Sequence, residues 1–352
     1  MRRALFNLHL YAGLAAAFFI LILSLTGSII AFETEIDHIL HWHLSYVRPQ
    51  GRALSLAEIT AIVQKRFPGQ RIFGYTVATS PDLSYSVSLP RRELYVNPYT
   101  GELLGTRPNG VSLLGRIHQL HVSMLLVFNP SLGRDILSWS SVAMLFLLLS
   151  GIYLWWPYQR FGIQWKGSAR RVWFDIHAVV GIFSLVFLLV LTVSGILLGF
   201  EAKTVPLFYK MTGSTPSRPP HVDAAPPAAG KRIDPDRALE IARAALPGTT
   251  PFAIPIPGPR GAYEIQARYP EDLTPGGRSW VIVDQYTGVV LYAEGSRQSP
   301  AGARMVNATR ALHTGDMFGM PGKTVMSVAS LMAVVEVVSG VIMWWNKRKR
   351  AA

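Results

Sequence analysis

Nine histidines occur in this chain, and a few of them stand where water cannot explain them. His9 and His177 each lie about one turn inside a long apolar run. An ionisable side chain is costly in a hydrocarbon setting and usually has a function there. A neutral imidazole keeps one nitrogen lone pair free for a metal. Two imidazoles facing each other from neighbouring helices would suit the two axial positions of a haem iron. His121 and His313, in Leu120-His121 and Leu312-His313, make a second couple of the same kind. His118 stands three residues before His121 on the same helical face and is an alternative to it.

An internal repeat makes the first couple more than coincidence. His177 follows His9 by 168 residues (177 minus 9), and Gly13 and Gly181, Gly27 and Gly195, and Glu33 and Glu201 are separated by the same interval. Arg2, Arg3, Phe6 and Phe32 match Arg170, Arg171, Phe174 and Phe200 in the same frame. Eighteen residues make about five helical turns, so His9 and Gly27 share a face, as do His177 and Gly195. Gly13 and Gly181, four residues after each histidine, lie on it too. A narrow glycine side would admit a flat macrocycle. Close helix packing through small residues would use the same glycines, although it leaves the matched histidines without a role. Arg3 and Arg171, six residues before each histidine, are expected to pair with haem propionates.

The remaining polar candidates carry weaker patterns. His38, His41 and His43 follow the first apolar run; His41-x-His43 would bind a metal only if extended, and nothing repeats it. His221 falls in a linker and is expected to be solvated. Glu33 and Glu201, at the outer helix ends, would bind a cation, a proton or substrate, or simply mark the headgroup level.

These residues need elements to hold them. Half of the chain's 352 residues are hydrophobic and only 16% are charged, which is unusual for a soluble protein. Four apolar stretches, about Leu8–Phe32, Ile136–Trp156, Phe174–Phe200 and Val325–Trp345, are long enough to cross a bilayer core of roughly 30 Å. The first is expected to be a retained helix rather than a cleaved leader. The expected fold class is therefore a membrane α-helical bundle of four internally duplicated transmembrane helices with two extracytoplasmic α+β domains. The expected divisions are helices 1–33, 136–157, 173–201 and 325–346, outer domains 34–135 and 202–324, a cytoplasmic loop 158–172 and a tail 347–352.

Charge sets the orientation. The net charge is +13, and Arg2, Arg3, Arg160, Lys166, Arg170, Arg171 and Lys347–Arg350 flank the apolar runs. That is the positive-inside pattern, so it is read as topology and not as nucleic-acid binding. It places both termini and the 158–172 loop in the cytoplasm and both long segments outside. Trp139, Trp155, Trp156, Trp344 and Trp345 fit an interfacial belt. There are no cysteines, which excludes disulfides, cysteine-ligated iron–sulfur clusters and thioether-attached haem.

The second helix of each half repeats as well: Ser150-Gly151-Ile152-Tyr153-Leu154-Trp155-Trp156 against Ser339-Gly340-Val341-Ile342-Met343-Trp344-Trp345. Outside the membrane, Leu56–Gly69 reads as a helix, followed by strands at Tyr75–Val77, Ser84–Leu89 and Glu93–Val96. The later copy reads as a helix at Pro235–Leu246 and strands near Tyr263–Arg268 and Ser279–Val283. Asn97-Pro98-Tyr99-Thr100-Gly101 and Asp284-Gln285-Tyr286-Thr287-Gly288 are hairpin turn signals. Gly213–Gly230, rich in Pro, Ala and Ser, reads as a linker.

The unit ending in Tyr-Val-Asn-Pro-Tyr-Thr-Gly-Glu, at Tyr95–Glu102, resembles the PepSY domain. The frame His-x3-Gly … Thr/Ser-Gly … Phe-Glu beside it resembles the PepSY-associated transmembrane family of bacterial inner-membrane proteins, over nearly the whole chain. That family includes iron-regulated proteins and FoxB-type siderophore reductases. The resemblance implies b-type haem and reduction of a periplasmic ferric siderophore or other ferric chelate, and the two histidine couples would hold two such haems. The ligands expected are His9 and His177 for one haem and His121 and His313 for the other.

No dinucleotide or Walker A motif occurs, and a fifteen-residue cytoplasmic loop cannot house a flavin or nicotinamide domain. Electrons must then come from an unidentified donor: a partner protein, a cytoplasmic reductant or the quinol pool. Two other readings compete with the reductase. One is a membrane-tethered PepSY regulatory or binding protein without redox activity; the other is a subunit of an iron-uptake transporter.

Overall fold

A computed structural model describes residues 1–110, 112–217 and 231–348 of the chain. Most of the expected linker 213–230, including His221, lies outside the described residues, as do residues 349–352. In chain order the elements are α1 (Arg2–Ile30), α2 (Glu33–Leu40), α3 (Trp42–Ser45), α4 (Leu56–Arg66), β1 (Gly74–Thr76), β2 (Tyr85–Leu89), β3 (Arg92–Val96) and β4 (Leu103–Pro108). They continue with α5 (Leu113–Ser123), α6 (Pro130–Trp155), α7 (Ala169–Gly199), α8 (Glu201–Thr212), α9 (Pro235–Ala245) and β5 (Thr250–Pro255). The last are β6 (Ala262–Arg268), β7 (Ser279–Asp284), β8 (Val290–Glu294), α10 (Ala301–Thr314) and α11 (Gly319–Arg348).

Four helices, α1, α6, α7 and α11, are long and apolar enough to cross a membrane. Each extends beyond its apolar stretch at one end or both, because polar first and last turns still form main-chain hydrogen bonds. With lipid as solvent, a helix is the element that satisfies every backbone group within itself. The main contacts run round a ring, α1 to α6 to α7 to α11 and back to α1. Small side chains let the helices close on each other: Ser327 and Ser330 of α11 donate to the main-chain oxygens of Ser28 and Ser24, each at 2.9 Å. The short helices α5 and most of α10 belong to this helical unit, together with Met1–Glu33, Ser112–Phe208 and the chain from Met305 onward. Ser112 caps α5 by accepting from Gly115 N, and Asn129 caps α6 by accepting from Leu132 N. Between them Gly133 is required by close approach, since a Cβ there would run into the Ser123 carbonyl and push α6 off α5.

Residues Thr34–Val111 and Tyr209–Arg304 form the second unit. Where the sequence reading counted two outer domains, this unit holds one antiparallel sheet of eight strands, in the order β4-β3-β2-β1-β5-β6-β7-β8. The sequence reading placed β1, β2, β3, β6 and β7, and missed β4, β5 and β8. The join is β1 against β5, with Gly74 opposite Pro255, Tyr75 opposite Ile254 and Thr76 opposite Ala253. Pairing hides two edges that would otherwise be exposed. Gly74 permits it: a Cβ there would stand 3.0 Å from the Ile254 carbonyl oxygen. Helices α4 and α9 cover one core, formed by Leu56, Ile59 and Val63 with Ala238, Leu239 and Ala242 over Val87, Leu89, Ile265 and Val281. Ser55 and Glu58 form a capping box at α4, and the Asp236 carboxylate accepts from Leu56 N and Ala57 N, both at 2.7 Å. At the hairpins, Asn97 Oδ1 accepts from Tyr99 N and Asp284 Oδ1 from Tyr286 N, folding each side chain back on its own turn.

Candidate functional site

The helical unit brings the four histidines together in two couples. His9 of α1 and His177 of α7 meet across the ring of spans, with ring centroids 6.4 Å apart and planes at 90°. His121 of α5 and His313 of α10 meet with centroids 6.3 Å apart and planes at 48°. The two couples lie at opposite ends of the bundle, because His121 packs on Gly27, eighteen residues along α1 from His9.

One device holds all four rings: a hydroxyl residue followed by glycine on the neighbouring helix. His9 Nδ1 meets Ser150 Oγ at 2.8 Å, and the ring edge lies over Gly151. His177 Nδ1 meets Ser339 Oγ at 3.0 Å, over Gly340. His121 Nδ1 meets Thr26 Oγ1 at 2.9 Å, over Gly27, and His313 Nδ1 meets Ser194 Oγ at 2.9 Å, over Gly195. Each hydroxyl donates its own proton to a main-chain carbonyl one turn back, at Phe146, Val335, Ile22 and Val190. A hydroxyl so committed can only accept from the ring. The four imidazoles therefore carry their proton on Nδ1, which leaves the Nε2 lone pair free.

That tautomer is the one a metal needs, and the spacing fits one shared ion. A metal–nitrogen bond of about 2 Å on each side, plus about 1 Å from nitrogen to ring centre for ring bonds of about 1.3 Å, separates two ring centroids by about 6 Å. Both couples match this distance. Charge agrees for the outer couple, whose helices α5 and α10 are not among the four spans. Burial pushes His121 down to about 3, with the nearby His313 and His118 adding to it. Burial likewise pushes His313 down to about 4. Both rings are thus neutral at physiological pH. One donor beside this couple is orphaned: Arg310 Nε, one turn before His313, is buried without a hydrogen-bond acceptor. A carboxylate carried by a ligand would satisfy it.

Other expected site residues stand elsewhere. His118 turns to Glu33, with Nδ1 2.7 Å from the carboxylate, and leaves His121 to face His313. Glu201 pairs with Arg134 at 2.9 Å. Arg171 is taken up by Asp175, a fully buried carboxylate two residues before His177, at 2.9 Å, while Arg3 is exposed. His41 bonds the Asp37 carbonyl within its own helical turn. Among the described residues no group of three or more histidines and carboxylates could hold a bare metal ion. Gly13 and Gly181 do not line a ring: Gly13 faces Leu147, and Gly181 faces the carboxylate of Glu336.

The sequence reading missed the hydroxyl partners, Asp175, Arg310 and Glu336. The hydroxyls left a signal, since Thr26-Gly27 and Ser194-Gly195 fall in one repeat and Ser150-Gly151 and Ser339-Gly340 in the other. Glu336 left none, because its counterpart three residues before Ser150 is Leu147. Comparison with curated proteins gives no match. The family described as the PepSY-associated TM region matches residues 6–347, so this membrane chain belongs to that family.

Proposed function

We propose that this chain is a bacterial inner-membrane reductase with two b-type haems. It would carry electrons from the cytoplasmic side or the quinol pool to a periplasmic ferric siderophore or other ferric chelate. The observation that carries this reading is the pair of imidazole couples, one at each end of the bundle. Eighteen residues at 1.5 Å per residue set them about 27 Å apart along α1, close to the ~30 Å thickness of a bilayer core. A haem at each couple would supply a one-electron carrier near each membrane face.

The chain's own residues would do the rest. His9 and His177 hold the inner group, and His121 and His313 the outer. The hydroxyl–glycine steps fix ring orientation and tautomer. Arg310 Nε, a buried donor without an acceptor, would donate to a carboxylate of the outer group. One electron passed outward converts ferric to ferrous iron in the chelate, which holds it less tightly. The basic loop bearing Arg160, Lys166, Arg170 and Arg171 sets the inner couple toward the cytoplasm and the sheet unit in the periplasm. The sheet order reads the same from either edge, and the couples use matched positions; both support descent from a duplicated half.

The test is an absorption spectrum of the detergent-purified protein, oxidised and dithionite-reduced, with a pyridine haemochrome count. About two b-type haems per chain are expected. A colourless protein from haem-replete cells would overturn the reading and leave a PepSY-type binding protein in its place.

A further inference from the structure

Arg66, Arg71, Arg91 and Arg92 stand together in the first half of the sheet unit. Arg66 closes α4, Arg71 lies in the loop that leads to β1, and Arg91 and Arg92 belong to the turn between β2 and β3. Aromatic rings gather them. The Arg66 and Arg92 guanidiniums lie over the Phe67 ring, 5.5 and 4.9 Å from its centroid, and Arg71 lies over Phe73 at 5.3 Å. Arg92 Nη2 also donates to Gln70 Oε1 at 3.3 Å. Arg66, Arg71, Arg91 and Phe73 are exposed. Among the described residues no carboxylate pairs with any of these arginines; Asp37 is taken by Arg107, Glu58 by Arg52 and Glu93 by Ser86.

The needs of the fold do not account for this cluster. The helix dipole favours a cation at the end of α4, which explains Arg66 alone. All of the arginines stand more than about 20 residues from a span in the chain, beyond the range over which positive charge sets topology. The second copy of the unit folds without them. Its Pro-Gly pair sets Ala245 opposite Arg66 and Thr250 opposite Arg71 (247 minus 68 is 179), and its hairpin turn sets Ser279 opposite Arg92 (284 minus 97 is 187). Arg91 holds a positive φ of 65° after Pro90, where glycine is the ordinary residue. Unneutralised charges this close repel one another, and an anion relieves them. A guanidinium stacked by its face keeps its N–H edge free, and that edge is a fork that matches paired oxygens.

On the reductase reading given above, we propose that this arginine cluster captures the substrate and selects anionic ferric chelates, those bearing carboxylate or catecholate oxygens. The charge also bears on the reaction. One electron converts Fe(III) to Fe(II) and leaves the chelate one unit more negative, with no bond to the protein made or broken. A cationic surface holds that reduced form more tightly than the ferric form, so the bound chelate is easier to reduce.

Binding to the full-length protein in non-ionic detergent tests this, with gallium(III) citrate as a probe that takes up no electron. Titration calorimetry at low and high salt compares the parent with the triple variant Arg66→Gln, Arg71→Gln, Arg91→Gln, whose altered side chains are all exposed. The parent should bind, and lose affinity as salt rises. The variant should bind roughly tenfold more weakly, with unchanged haem content, and a neutral gallium(III) trihydroxamate should bind the two alike. Gallium citrate bound equally by both proteins or by neither, or an equal loss for the neutral chelate, would overturn the site and leave the reductase reading standing. Short-chain phosphatidylglycerol bound through these arginines, with no binding of gallium citrate, would overturn it too and make the cluster a lipid site. A colourless parent that still binds gallium citrate would overturn the reductase reading and leave the chelate site in place.

Discussion

The inner and outer couples solve one problem with different parts. The inner imidazoles belong to the spans, His9 to α1 and His177 to α7, and rest on hydroxyl–glycine steps of α6 and α11. The outer imidazoles belong to α5 and α10, and rest on the corresponding steps of α1 and α7. So α1 and α7 give a histidine at one end and receive one at the other. The two couples also differ in clearance. A Cβ at Gly27 or Gly195 would stand 3.1 or 3.3 Å from an outer ring, against 3.6 and 3.7 Å for Gly151 and Gly340 at the inner rings. The outer rings are the tightly seated ones, and the inner couple has a carboxyl side chain, Glu336, 3.2 Å from a ring nitrogen.

On the proposed reading, loss of one histidine has the largest effect. Changing His177→Ala should remove the inner haem and stop electron entry. Changing His313→Ala should remove the outer haem, abolish chelate reduction and leave the inner haem reducible by dithionite. Haem content and reduced-minus-oxidised spectra of the two variants decide it. If either variant keeps both haems, that couple is not a ligand pair.

Much of this site could be read in the sequence, because duplication marks what each half needs. The 168-residue interval picks out His9, His177, Gly27 and Gly195. It could not say which residue each glycine serves. Gly27 shares a face with His9, yet the ring it receives is His121, brought from α5 by a contact far along the chain. Glu336 escaped for the opposite reason, since it stands alone among apolar neighbours and its counterpart is Leu147. Asp175 escaped because a single acid near a helix start reads as a solvated first turn; the structure buries it and gives it Arg171. The sheet shows the same limit. Strands β2, β3, β6 and β7 carry alternating or apolar burial patterns and were legible, whereas β4 and β8 are half-exposed edges and β5 carries two prolines. The β1–β5 pairing joins residues about 180 positions apart, and local sequence does not encode such a partner.

Clearance at the glycines has an intermediate effect. Gly27→Ala and Gly195→Ala place a methyl group tighter than ordinary contact against an outer ring, which must give by a few tenths of an ångström. Gly151→Ala and Gly340→Ala meet only ordinary van der Waals contact. The inner variants should therefore keep full haem and gain up to about 1 kcal/mol from helix propensity. The outer variants should lose that gain and release outer haem more readily on dilution or mild heating. Thermal melts read in the haem bands separate the two; equal behaviour would mean the outer seat is no tighter than the inner.

The smallest expected effect tests the asymmetry within the inner couple. His9 Nδ1 has Ser150 as its hydrogen-bond partner, whereas His177 Nδ1 has both Ser339 Oγ and the Glu336 main-chain oxygen, at 3.2 Å. A buried donor that loses its only acceptor costs about 1–3 kcal/mol, and one that keeps a second acceptor costs much less. Ser150→Ala should therefore lower the melting temperature measurably and let the His9 ring turn, broadening the inner haem's spectrum. Ser339→Ala should differ little from the parent, because the Glu336 main-chain oxygen still accepts from the ring. If the two serine variants lose equal stability, then the Glu336 main-chain oxygen contributes nothing to seating His177.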